Sequence, residues 1–187
     1  MVGVASRESY FETGFDVLAD TGYGGLKLAE VCKRLGVTTG SFYHFFPNWA
    51  AYTTELVRHW AHDRTVRIVE SVRAHPDPRQ RIDTLIREAL ALPHGAEAAI
   101  RVWSGLDSEV HAVQRMVDQH RFDVMCDSAF EILGNRRQAE VFASWGLYVL
   151  VGYEQAGVPR DMAGLRWIAD QLLDTLDSGR FSTVPDA

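Results

Sequence analysis

The sequence predicts an all-α protein in two parts, an N-terminal three-helix head containing a helix-turn-helix and a C-terminal helical bundle. Three observations carry this. Apolar residues recur at three- and four-residue spacing through most of the 187 residues. No run of alternating β-branched residues marks a strand. Glycine, proline and asparagine fall where they cut the pattern into helix-length pieces.

In chain order, Ser6 is placed to cap a first helix whose Phe11, Phe15 and Leu18 share a face, and the segment Thr21 to Gly25 stops it. A second helix begins near Lys27. Its Leu28, Val31, Cys32 and Leu35 fall at i, i+3, i+4 and i+7, a compact apolar stripe, and Gly36 ends it. Thr38 can cap a short third helix running through Thr39, Gly40, Ser41, Phe42, Tyr43 and His44 until Pro47-Asn48 interrupts. A fourth helix starts there and runs through Leu56, Val57 and Trp60 toward Arg73. The functional boundary is expected inside it, with residues 1–50 as the head and 51–187 as the C-terminal domain.

The dipeptides of Pro76-Asp77-Pro78 are the clearest break in the chain. Beyond them the pattern predicts a helix over 79–91, a short one over 96–104 after Pro93-His94-Gly95, and a long one from Ser108 to Leu133 closed by Gly134-Asn135. The stretch VFASWGLYVLVGY, Val141 to Tyr153, is apolar on every face, which calls for contact on both sides. Ala143, Gly146 and Gly152 in helix 139–156 permit close helix approach, and helix 161–177 adds the stripe Leu165, Ile168, Leu172 and Leu176. Two such helices from each of two chains make a four-helix bundle about a two-fold axis, so a homodimer is expected. The tail from Ser178 is expected to fray.

Composition narrows the function. At 47% hydrophobic the chain can bury a sizeable core. The formal charge of −6 argues against coating nucleic acid through bulk electrostatics but allows a local binding face. In residues 1–60, five basic side chains (Arg7, Lys27, Lys33, Arg34, Arg58) meet six acidic ones, a net of −1. Cys32 and Cys126 match no disulfide or zinc spacing, which fits a reducing compartment. Cys32, one turn before Gly36, reads as a small hydrophobe that lets two helices approach. The N-terminus lacks a basic start followed by an apolar run, no apolar stretch nears the roughly 18 residues of a membrane span, and a cytoplasmic location is expected. No nucleophile–base pair, phosphate loop or metal cluster is visible, so neither an enzyme nor a metal or cofactor is expected. His59 and His62 with Asp63 lack a further fixed ligand, and a solvated helix face is the simpler reading.

The stretch LGVTTGSFYHFFPNW, Leu35 to Trp49, puts five aromatic residues after a hydroxyl-rich turn. Phe42 and Phe46, four apart, share one face and read as core under the first two helices. A helix, a Gly-containing turn and a second short helix, preceded by a helix that packs across them, form the arrangement that places a recognition helix in a DNA major groove. Here LAEVCKRLGVTTGSFYHFFPN, Leu28 to Asn48, resembles the TetR family of bacterial transcriptional regulators, within a weaker match from Ser6 to Trp60 that covers roughly a third of the chain.

That resemblance implies a homodimer whose heads bind a palindromic operator and whose C-terminal helices bind a small-molecule effector and each other. It puts Thr38, Thr39, Gly40 and Ser41 at the start of the recognition helix facing double-stranded DNA. Tyr43 and His44 would reach phosphates or groove walls, and Lys27 would hold the second helix on the backbone. Hydroxyls and free helix N–H groups suit phosphate and base edges. Arg7 is either a minor-groove contact or a terminal charge, and Lys33 and Arg34 read as solvated surface. Trp103, Met116, His120, Trp145 and Tyr148 are the candidates to line the effector pocket; the bulky ones could equally fill it, and His120, in the stripe of Val113, Val117 and Val124, reads first as a hydrogen-bonded core or edge histidine.

Two departures from the family pattern bear on affinity. The fourth helix starts with Trp49 where the family places a phosphate-touching lysine, and the recognition helix has no Arg, Asn or Gln for bidentate base contacts. Both predict few phosphate contacts and a shallow salt dependence. The leading function is a ligand-responsive transcriptional regulator, a repressor. The alternative is a small-molecule-binding dimer of the same fold with weak or lost DNA binding.

Overall fold

A computed structural model of the chain describes residues 5–185. The first four residues, on which part of the reading of the N-terminus rests, lie outside them. Among the described residues there are ten α-helices and no strand: α1 (Arg7–Thr21), α2 (Leu28–Leu35), α3 (Thr39–Phe42), α4 (Trp49–Ala61), α5 (Arg67–Arg73), α6 (Pro78–Leu90), α7 (His94–Ser104), α8 (Ser108–Leu133), α9 (Arg136–Gln155) and α10 (Met162–Asp177). No helix among the described residues is long and apolar enough to cross a membrane. The chain forms two compact units, one of residues up to Asp63 with Pro93–Arg115, the other of Arg64–Leu92 with residues from Met116 onward.

In the first unit, α1 opens on a reciprocal cap. The Ser6 hydroxyl accepts from the Ser9 N–H at 3.2 Å, and the Ser6 N–H donates to the Ser9 hydroxyl at 2.9 Å, so two otherwise orphaned N–H groups are satisfied. The second helix ends at Gly36, whose φ of 73° lies in the left-handed region that a residue with a Cβ enters at a cost. From there the chain turns tightly into α3. Buried Tyr10, Phe11, Phe42, Phe46 and Tyr52 pack as one aromatic cluster, with ring centroids 5.0–6.0 Å apart in mostly edge-on and tilted arrangements. The seventh helix belongs to the same unit. Buried Trp60 donates its indole N–H to Glu97 at 2.6 Å, and Trp103 stacks on Tyr23 at 4.7 Å.

The second unit has its own core, with Ile82, Cys126, Ala129, Phe142, Leu172 and Leu176 packed together and Val69, Val72, Leu85 and Val124 beside one another. Arg79 on α6 grips Asp177 at the end of α10 through two nitrogens, at 2.8 and 3.0 Å, and that guanidinium holds the Asp177 carboxyl below its ordinary pKa.

Three expectations change. The third helix is shorter than the sequence predicted: it ends at Phe42, and Tyr43 to Phe46 continue as tight turns in which the His44 N–H donates to Ser41 and those of Phe45 and Phe46 to Phe42. The fourth helix does not run unbroken to Arg73, because a π-helical turn, His62–Val66, separates α4 from α5. The tail is not frayed where it was expected to be. Arg180–Thr183 form a 3₁₀ turn that inserts Phe181 into the core against Phe142, ring centroids 5.5 Å apart. An apolar ring of that size outweighs the entropy of ordering a short tail.

Candidate nucleic-acid interface and ligand cavity

The interface begins with the way α3 is held. Phe42 and Phe46 are fully buried and face inward, so the opposite side of this short element must face out. On it Thr38, Thr39, Gly40, Tyr43 and His44 are exposed and Ser41 half-buried, with Tyr43 at 56%. Lys27 is exposed at the cap position of α2. The structure therefore brings all seven predicted residues to the surface of the helix-turn-helix, six of them along one element. Two are partly spent on local structure. The Thr38 hydroxyl accepts from the Ser41 N–H at 3.2 Å as the N-cap of α3 and lies 3.1 Å from the Ser41 hydroxyl. Gly40 carries no such duty, since a Cβ there would meet only the Thr38 hydroxyl at 3.6 Å, an ordinary contact. Nothing inside the fold requires glycine at that position.

Cations around the element are largely committed. Arg7 donates to the Phe45 carbonyl, pairs with Glu55 and lies 4.5 Å above the Phe46 ring, so it clamps the segment that follows α3. Arg34 hydrogen-bonds Asp20 at 2.6 Å and Glu30 at 2.9 Å, while Lys33 is exposed. Trp49, the first residue of α4, is half-buried and packs on Tyr52 and Phe42 with centroids 4.9 and 6.0 Å away. It completes the aromatic cluster. His59 stacks on Phe11 at 4.8 Å and sits 3.4 Å from Asp63. Cys32 is buried, which pushes its thiol above the ordinary pKa and makes it a core side chain.

The second unit contains a cavity of about 110 Å³ among α5, α6, α9 and α10 and the adjoining part of α8. Its wall is almost wholly hydrocarbon, with Ile68, Leu85, Met125, Leu150 and Leu172 among the contributors. Thr65, Glu88 and Arg121 are the polar side chains in it. None of the five predicted pocket residues is among those lining it. Trp103 is buried in the first unit against Tyr23, Met116, Trp145 and Tyr148 are exposed, and His120 is half-buried. The residues of this wall were not singled out in the sequence because they come from the inward stripes of several helices. The signal present was the stripe Ile82, Leu85, Ile86 and Ala89 on α6, which reads as plain core until the cavity is seen.

On α9 and α10, Trp145, Tyr148, Trp167 and Ile168 remain exposed, Tyr148 at 72% and Trp167 at 63%. Large apolar side chains left exposed on two neighbouring helices are candidates for a contact surface.

A helix-turn-helix that presents one short, hydroxyl-rich helix has the geometry that seats a recognition helix in a DNA major groove. The family match agrees. Residues 11–51 match the model of bacterial regulatory proteins, tetR family. The HTH-type transcriptional repressor NemR of Escherichia coli K12 is 33% identical over 69 residues, a match spanning 35% of this chain and 35% of that relative. A transcriptional regulator from Rhodococcus sp. Rha1 shares the fold over 94% of this chain and 97% of its own, with a TM-score of 0.75 at 21% identity. The transcriptional regulator FadR of Bacillus subtilis, solved in complex with stearoyl-CoA, does so over 93% and 99%, with a TM-score of 0.65 at 15% identity.

Proposed function

We propose that the protein is a ligand-responsive transcriptional repressor that binds a palindromic operator as a homodimer, with residues 1–50 reading DNA and 51–187 binding the effector and the second subunit. The observation that carries this reading is the outward side of α3 and of the turns that follow it, where Thr39, Gly40, Tyr43 and His44 are exposed while Phe42 and Phe46 are fixed in the core. The tetR-family match over residues 11–51 supports it. Thr39, Thr38 and Ser41 offer hydroxyls to phosphate or base edges, Gly40 admits the backbone to close range, Tyr43 and His44 reach the groove wall, and Lys27 meets the phosphate chain from α2.

The dimer forms through α9 and α10, where Trp145, Tyr148, Trp167 and Ile168 supply the apolar contact. Two heads then address successive major grooves about 34 Å apart. The effector occupies the apolar cavity of the second unit; FadR, of like fold, is a regulator that holds stearoyl-CoA. An effector that binds better to one arrangement of the dimer shifts it away from the operator-matching one, and DNA weakens effector binding by the same factor. Tyr43→Phe and Thr39→Ala are expected to weaken DNA binding severalfold with unchanged circular dichroism. Undiminished binding in both variants would remove α3 as the reading element, and a monomer by light scattering at micromolar concentration would remove the palindrome.

A second reading is favoured by Trp49 and by the commitment of Arg7 and Arg34 within the head, which leave few cations for phosphate. On it the protein is a small-molecule-binding dimer whose DNA affinity is weak or lost.

A further inference from the structure

A recurring habit among the helical hydroxyls of this protein is a bond back to a carbonyl of the preceding turn. The hydroxyls of Thr13, Thr21, Ser128 and Thr175 each donate to the carbonyl four residues back, at 2.7–2.8 Å. Thr65 breaks it. It is 2% exposed and its Oγ1 is buried with no hydrogen-bond partner. The cause is local: Thr65 lies in the π-helical turn His62–Val66, where one extra residue per turn moves the usual carbonyl out of line. A buried hydroxyl without a partner is a standing cost to the fold, and such turns concentrate at functional positions.

The same residue lines the apolar cavity. A rotation about χ1, for which threonine has two accessible settings in a helix, can turn Oγ1 toward an occupant. The cavity has room for about ten water-sized groups. Its two charged residues, Glu88 and Arg121, are opposite in sign and give it no net charge to offer an ion.

We infer that the cavity takes a compact, neutral, mainly hydrocarbon molecule bearing a single hydroxyl or carbonyl oxygen, and that this oxygen hydrogen-bonds to Thr65. The inference rests on the cavity being the effector site. It assigns the specificity of that site to Thr65: the hydrocarbon wall binds by burial, and the one hydroxyl selects among molecules of similar size.

The test uses the full-length protein and three probes of one shape, para-propylphenol, propylbenzene and para-propylbenzoate, by titration calorimetry. The phenol is expected to bind about fivefold more tightly than the hydrocarbon, and the benzoate most weakly. Thr65→Val should abolish the preference by weakening the phenol alone, and Thr65→Ser should keep it. Thr65→Val should also melt at an equal or higher temperature than the wild type, because it removes the unsatisfied group. Equal binding of phenol and hydrocarbon to the wild type, a preference that survives Thr65→Val, or a benzoate that binds best each overturns the assignment while leaving the cavity as a ligand site. Failure of all three probes to bind folded protein overturns the cavity reading itself.

Discussion

The crossing of α1 and α4 is where the head is most exposed to a single change. Tyr52 is fully buried and donates its hydroxyl hydrogen to the Tyr10 carbonyl at 2.8 Å, a carbonyl already within the hydrogen-bond ladder of α1. A Cβ on Gly14 would lie 2.2 Å from that hydroxyl and 3.2 Å from both Leu56 methyls. Tyr52→Phe removes one buried hydrogen bond without orphaning its acceptor and should cost about 1 kcal/mol. Gly14→Ala gains about 1 kcal/mol in helix propensity. Against that gain stand overpacking of about 1–3 kcal/mol and loss of the displaced hydroxyl's bond, about 1 kcal/mol more, so the net cost is about 1–3 kcal/mol. The double variant puts a methyl where the hydroxyl was. It should fall no more than about 1 kcal/mol below the wild type, whereas additivity would place it about 2–4 kcal/mol below, giving a coupling of about 1–4 kcal/mol. Urea denaturation of the four proteins, followed by circular dichroism with the slope checked for constancy, measures it. Additivity to within about 0.5 kcal/mol would show that Gly14 and the Tyr52 hydroxyl do not share one site.

Trp49→Lys should raise DNA affinity and steepen the dependence of log affinity on log salt by about 2 for a dimer, one phosphate per head, while removing ring contacts worth about 1 kcal/mol to the fold. Fluorescence anisotropy across a salt series reads the slope, and an unchanged slope removes Trp49 from the DNA face. Phe181→Ala should destabilise the second unit by about 3–5 kcal/mol, as expected for an aromatic core side chain; a loss below about 1 kcal/mol in denaturant titration would return the tail to a frayed end. Burial pushes the thiols of Cys32 and Cys126 and the phenol of Tyr52 above their ordinary pKa values. The folded chain holds these protons more tightly than the unfolded one, so their contribution is complete below about pH 8.5 and declines as pH rises, first through the thiols and above about pH 10 through Tyr52. Denaturation midpoints in Cys32→Ala/Cys126→Ala should show a flatter decline between about pH 8.5 and 10; an identical slope would place the loss elsewhere.

Much of the head was legible in the residues because its devices are local. Ser6, Gly36 and Thr38 act within a few residues of their own positions, and the four-residue spacing of Phe42 and Phe46 dictated which side of α3 and the turn after it would be outward. The roles of Arg7 and Trp49 were not legible. A guanidinium over Phe46 and an indole on Tyr52 depend on how α1 and α4 meet, which no spacing within either helix records. The same is true of the buried Trp60–Glu97 bond that joins α7 to the first unit. In the second unit, large aromatics drew attention to Trp145 and Tyr148, although size alone does not separate a pocket wall from an exposed face. The π-helical turn left no mark in apolar periodicity, because it adds a single residue to an otherwise helical run, and with it Thr65 went unnoticed.

The exposed side of α3 and of the turn after it is the proposed DNA-reading surface. Selection of fragments from a random duplex pool by the purified full-length protein at low salt tests it most directly. The expected result is an enriched palindrome with half-sites about one helical turn apart, and loss of that enrichment when Tyr43 and Thr39 are replaced together. Recovery of no enriched sequence by the wild type, or undiminished enrichment by the double variant, would contradict it.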